Sequence, residues 1–163
     1  SLAALTGADY AIPGSIDYLS FLRATHKCTN DIREKKSAFE RVAFNVIFNN
    51  RDDHPKNFAY TLSQSGQWAL APAYDVTFCE GPGGYHQMDV MGEALKIGKR
   101  HLLALADDAD ITAQEANETI SRLCHVARKF SDIANEHYPN RITSTTLKQI
   151  QSRIDDNIKF LER

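Results

Sequence analysis

The sequence predicts a mainly α-helical fold with one small β-hairpin, and three observations carry that expectation. Apolar residues recur at helical spacing through most of the chain. A single pair of short β-prone runs flanks the turn sequence Ser63-Gln64-Ser65-Gly66. One dense polar run, residues 49–57, interrupts the apolar pattern directly after its most hydrophobic helix. With 163 residues and 42% hydrophobic content, residues 1–163 read as a single domain with room for a sizeable core.

Taken in order, Pro13-Gly14 marks a turn, and a helix follows from residue 15 with Ser15 as its cap and Ile16, Leu19, Phe21 and Leu22 on its apolar face. A stronger helix spans 30–48, where Phe39, Val42, Ala43, Val46 and Ile47 follow the spacing of one buried stripe. Its first half, with Arg33, Glu34, Lys35 and Lys36, reads as a solvated face, whereas Phe44 and Phe48 make its last two turns apolar nearly all round. Residues 58–62 and 67–70 form the two strands of the hairpin, with Trp68 as a core residue. Between 77 and 95 there is no periodicity, and Gly81-Pro82-Gly83-Gly84 predicts an open, mobile loop. A short helix covers 99–107. A long one opens on the capping box Thr112-Ala113-Gln114-Glu115 and buries Ala116, Ile120, Leu123, Ala127, Phe130 and Ala134. The last, from 144, puts Leu147, Ile150, Ile154, Ile158 and Leu161 on one stripe.

Composition excludes several functions. A net charge of −2 gives no basic surface for direct nucleic-acid binding. The three cysteines, Cys28, Cys79 and Cys124, are far apart and in no CxxC arrangement, which fits neither a disulfide framework nor a zinc ribbon and suits a reducing cytoplasm. No run approaches the length of a membrane span. The chain opens on Ser1 instead of Met, which points to sequence ahead of it.

The polar run carries the chemistry. Phosphoryl transfer needs a carboxylate beside the attacking hydroxyl and oxygen ligands for nucleotide-bound magnesium. Arg51-Asp52-x-x-x-x-Asn57 has the spacing of a kinase catalytic loop, with Asp52 as base and Asn57 as metal ligand. The hairpin then delivers Asp75, a second metal ligand in the place of the Asp of Asp-Phe-Gly, with Tyr74 before it packed into the core and fixing that loop on the cofactor side.

The run from Phe44 to Phe58, with Asn49-Asn50-Arg51-Asp52-Asp53-His54-Pro55-Lys56-Asn57 at its centre, and the run Trp68-Ala69-Leu70-Ala71-Pro72-Ala73-Tyr74-Asp75-Val76 resemble the signature of HipA-like serine/threonine kinases. His86-Gln87-Met88 is similar to a further stretch of that family. The resemblance implies a kinase-like carboxy-terminal lobe of a bacterial toxin, using ATP and Mg2+ to phosphorylate a protein on serine or threonine. It also implies a HipB-like DNA-binding antitoxin as partner. By position it gives Asp52 the catalytic role and Asn57 and Asp75 the metal-binding roles. The pattern Asp52-x-His54-x-x-Asn57 is also similar to that of phosphoinositide kinases. Two departures stand out: Thr77 takes the place of the Gly of Asp-Phe-Gly, and no Gly-rich phosphate loop precedes Asp52, so the amino-terminal lobe is absent from this chain.

Plainer readings stand beside these. Asp52 and Asn57 also suit a capped, solvated turn, and Asp53 either orients the loop or faces water. His54 is either a third catalytic group or a residue that hydrogen-bonds the backbone to hold the turn. Lys56 either reaches the γ-phosphate or is an ordinary exposed lysine. At the level of function, the alternatives are a catalytically silent relative that binds an antitoxin or substrate, and a metal-dependent phosphohydrolase using Asp52, Asp53, His54 and Asp75. The second needs clustered ligands, and His26, His86, His101, His125 and His137 are scattered.

Overall fold

A computed structural model describes residues 1–162. Its elements are α1 (Leu2–Thr6), α2 (Tyr18–Thr29), α3 (Ile32–Ile47), β1 (Tyr60–Leu62), β2 (Trp68–Leu70), α4 (Lys99–Asp108), α5 (Ala113–Ala127), α6 (Phe130–His137) and α7 (Ser144–Leu161). Short 3-10 turns occupy Pro55–Asn57 and Pro82–Gly84. Helix α3 is the spine: α2, α5, α7 and the hairpin all pack against it. One continuous apolar cluster runs from Leu2 to Leu161.

The cap of α2 is Asp17, not Ser15. The Asp17 carboxylate accepts the Ser20 N–H at 2.7 Å, while the Ser15 hydroxyl donates to the Asp9 carbonyl instead. Helix α3 is capped by Asp31, whose carboxylate accepts the Arg33 N–H, and its predicted stripe is buried. Its charged first half is not simply solvated. Lys35 is 4% exposed, and its ammonium donates to the Ala109 carbonyl at 2.7 Å and pairs with Asp110. Glu34 accepts the Leu70 N–H of β2, and Lys36 pairs with Glu115 of α5. These charges tie α3 to the hairpin and to the α4–α5 corner.

The hairpin pairs Tyr60 with Leu70, Thr61 with Ala69 and Leu62 with Trp68. Leu70 is buried, but Trp68 is 45% exposed, contrary to its predicted core role. It sits beside the turn, at the end of β2 away from the buried Leu70.

The capping box at Thr112 forms: its hydroxyl accepts the Glu115 N–H, and Glu115 accepts the Thr112 N–H. The helix stops at Ala127, however, and a separate α6 starts at Phe130. The break has a partner elsewhere in the chain. Gln151 of α7 donates to the Ala127 carbonyl and accepts the Ser131 N–H, replacing hydrogen bonds that a continuous helix would make.

Nor is the segment between 77 and 95 open. The Cys79 N–H donates to the Asn49 carbonyl and its carbonyl accepts from Arg51 N–H, bridging it to the polar run. His86, Met88 and Val90 are buried. Gly81 has φ of 71°, and a Cβ there would lie 2.2 Å from the Tyr85 carbonyl oxygen. The glycines thus make a tight path possible rather than a loose one.

The Lys36–Glu115 contact gives a pH test. Hydrogen bonds from Lys36 first, then from Thr112, hold the Glu115 carboxyl at about 2, below its ordinary 4.5. Because the folded value is depressed, the stabilisation is present above 4.5 and is lost as pH falls through about 2. In thermal unfolding followed by circular dichroism, the native chain is expected to melt above Glu115→Gln at neutral pH, with the difference vanishing near that lower limit.

Candidate active site

The polar run starts where α3 ends. Asn49 adopts a left-handed conformation with φ of 56°, which turns the chain out of the helix. The Asn49 side chain donates to the Cys79 carbonyl at 3.0 Å. One turn back, Asn45 is buried inside the apolar end of α3, accepting from the Asn50 amide and donating to the Tyr18 hydroxyl, each at 3.0 Å. The exit is fixed by the turn Pro55–Asn57, in which Asn57 N–H donates to the His54 carbonyl. The Asn57 side-chain amide returns to the Asp52 carbonyl at 2.8 Å. The five-residue spacing read from the sequence is therefore a closed loop.

Its two adjacent aspartates face different environments. Asp53 is 0% exposed and takes three donors. The Tyr18 hydroxyl lies 2.6 Å from Oδ2, His86 Nδ1 lies 2.6 Å from the same oxygen, and Gln87 N–H donates to Oδ1 at 2.7 Å. A buried carboxylate without such partners is strongly destabilising; three donors make its burial tolerable. Burial above all, and then the Asp53 charge, push the Tyr18 phenol well above its usual value, so it stays a donor. Of the two readings of Asp53, orienting the loop is the one its geometry fits.

Asp52 is 40% exposed at its side chain. Oδ1 accepts from the Gln87 side-chain amide at 2.9 Å, and His54 Nε2 lies 3.8 Å away. Among the described residues Oδ2 has no partner. His54 Nδ1 is buried and makes no hydrogen bond among the described residues, so the backbone bond expected of a turn-holding histidine is not formed by them. The ring packs edge-on against Tyr10 instead, with centroids 5.8 Å apart. Lys56 is exposed, with its ammonium 3.3 Å from the centre of the Tyr10 ring.

Tyr74 is 42% exposed and not packed in the core as expected. Its hydroxyl instead donates to the Lys56 carbonyl, clamping the loop after the hairpin to the polar run. Burial, followed by the Asp75 charge, raises its pKa. Asp75 is exposed, in a left-handed conformation with φ of 52°, and its carboxylate has no hydrogen bond to another site residue.

A cavity of about 370 Å³ opens beside this loop. Phe44, Phe58, Tyr74 and Val76 give it apolar walls, and Asn50, Asp53, Asn57 and Arg41 add polar groups. Asp52 and Asp75 are not in its lining, but Asp53, next to the first, and Tyr74 and Val76, on either side of the second, are. Two of its lining residues carry a buried atom without a hydrogen-bond partner among the described residues, Asn50 Oδ1 and one Arg41 guanidinium nitrogen. Asn57 Oδ1 is likewise unpartnered among the described residues and, with Asp75, supplies hard oxygen donors of the kind magnesium takes. Among the described residues no three His, Cys, Asp or Glu side chains converge on a metal position. The ligand cluster that a phosphohydrolase reading requires is therefore not formed by them.

The sequence reading missed Tyr18 and Asn45 as parts of this site, and it placed Asn50 in the polar run and His86 in a family-like stretch without giving either its buried partner. A signal existed for Asn45: one amide inside Phe44-Asn45-Val46-Ile47 has to find a buried partner.

This chain belongs to the HipA-like C-terminal domain family, whose profile matches residues 1–130. Among solved structures it is similar to HipA of Shewanella oneidensis MR-1, determined as a toxin–antitoxin complex with HipB and operator DNA. The TM-score is 0.73 at 16% identity, over 90% of this chain and 36% of that one. The chain thus spans about a third of that protein's length. No curated protein matches. No helix among the described residues is long and apolar enough to cross a membrane.

The donor set around Asp53 is expected to dominate local stability. Removing one hydrogen bond to a buried carboxylate costs about 1.5–3 kcal/mol. Tyr18→Phe is expected to lower the urea midpoint accordingly while keeping the helical circular dichroism signal.

Proposed function

We propose that this chain is the catalytic lobe of a HipA-type serine/threonine protein kinase that uses ATP and Mg2+. The observation that carries the reading is the contrast within Asp52-Asp53: one carboxylate is buried and triply bonded, the other presented to solvent with a free oxygen beside a cavity. A turn alone does not call for that division, whereas a base on a rigid loop does.

In this reading Asp52 orients a serine or threonine hydroxyl and accepts its proton. Asn57 Oδ1 and the Asp75 carboxylate hold Mg2+, and the cavity lined by Phe44, Phe58, Tyr74 and Val76 takes the nucleotide. Bound Mg2+ supplies charge neutralisation at the phosphates. His54 and Lys56 flank Asp52 as further candidates for contacts to the reacting groups. A further lobe completes the nucleotide grip in this reading, since the chain aligns with only 36% of the HipA chain to which its fold is similar. A HipB-like antitoxin is the proposed partner, in a cytoplasmic setting, supported by the HipA–HipB complex to which the fold is similar.

The test uses a chain carrying both lobes. Asp52→Asn and Asp75→Asn are each expected to reduce phosphate transfer from ATP about 100-fold or more, with melting unchanged. Asn tolerates the left-handed backbone at position 75, so that substitution removes charge without straining the chain. Wild-type transfer by either variant would contradict the proposal.

A further inference from the structure

Gln87 touches both aspartates of the loop. Its backbone N–H donates to Asp53 Oδ1 at 2.7 Å and its side-chain amide donates to Asp52 Oδ1 at 2.9 Å. It is itself held in place: its carbonyl accepts the Gly14 N–H at 2.8 Å, and its neighbours His86 and Met88 are 4% and 0% exposed. No other side chain among the described residues lies within hydrogen-bond distance of the Asp52 carboxylate. His54 Nε2, at 3.8 Å, is beyond it.

Resting on the kinase reading above, we infer that Gln87 is the positioning residue of the site: it holds Asp52 Oδ1 and leaves Oδ2 as the oxygen that receives the substrate hydroxyl. An exposed aspartate otherwise rotates freely about its last torsion, and its two oxygens are equivalent. One anchored donor on one oxygen removes that equivalence and aims the other. A neutral amide does so without placing a full positive charge beside the group that must take a proton. The anchor comes from a segment tied to Asp53, so the buried aspartate fixes the exposed one through a single residue.

Two variants test this. Gln87→Leu removes the amide but keeps the backbone N–H that serves Asp53. Gln87→Glu replaces the donor with a like charge. In a chain carrying both lobes, each is expected to lower kcat about 10- to 100-fold with KM for ATP and the melting temperature little changed. A residue that only supports the fold would move melting instead. In the 163-residue chain, the side-chain amide signals of Gln87 in a nitrogen–proton correlation spectrum are expected to shift in Asp52→Ala and stay put in Asp75→Asn. If Gln87→Leu retains full kcat while Asp52→Asn is inactive, the inference fails and the kinase reading stands. If Asp52→Asn is itself fully active, both fall. Gln87 amide signals indifferent to Asp52→Ala would also overturn the inference.

Discussion

The Asp53 carboxylate has no exposed surface, and the protein satisfies it with groups drawn from far along the chain. Tyr18 comes from α2, His86 and Gln87 from the segment after the hairpin, and Asn45 of α3 holds Tyr18 from behind. An unpaired buried carboxylate would cost several kcal/mol, so these segments are held in one arrangement. The loop between Asn49 and Asn57 inherits its shape from that arrangement. Asp52 is therefore a partly exposed side chain on a backbone fixed by these contacts, which is what the proposed role as a base requires.

Helix α3 provides the other half of the frame. Its apolar stripe sits in the core, and its polar groups are spent on neighbours: Lys35 on the α4–α5 corner, Glu34 on the hairpin, Asn45 on Tyr18. The loop that follows is closed on itself by Asn57 and latched to the hairpin exit by Tyr74. The cavity forms between these parts, bringing Asn57 and Tyr74 to one wall. Fold and site are thus built from the same contacts. A destabilising change around Asp53 reaches the site without touching Asp52.

Features set by near neighbours in the sequence were legible in it. The stripe of α3, the Thr112 capping box, the turn at Ser63-Gln64-Ser65-Gly66 and the Asp52-to-Asn57 loop all depend on residues within a few positions. What escaped depends on distant partners. The burial of Asp53 needs Tyr18, the burial of Lys35 needs Ala109, and the break after Ala127 needs Gln151. The segment around Gly81 reads as loose because glycine is permissive, yet here that permissiveness serves close packing against Arg51 and Tyr85. Helix α1, five residues long, is too short to show a period.

The most direct measurement is a titration of isotope-labelled chain with magnesium-ATP, following the amide signals of residues 52–57 and 74–76. The account expects both groups of signals to shift together, and the response to disappear in Asp75→Asn. If neither group responds at millimolar ligand, and still neither does when a second lobe is present, the loop is a well-made turn and not a nucleotide site.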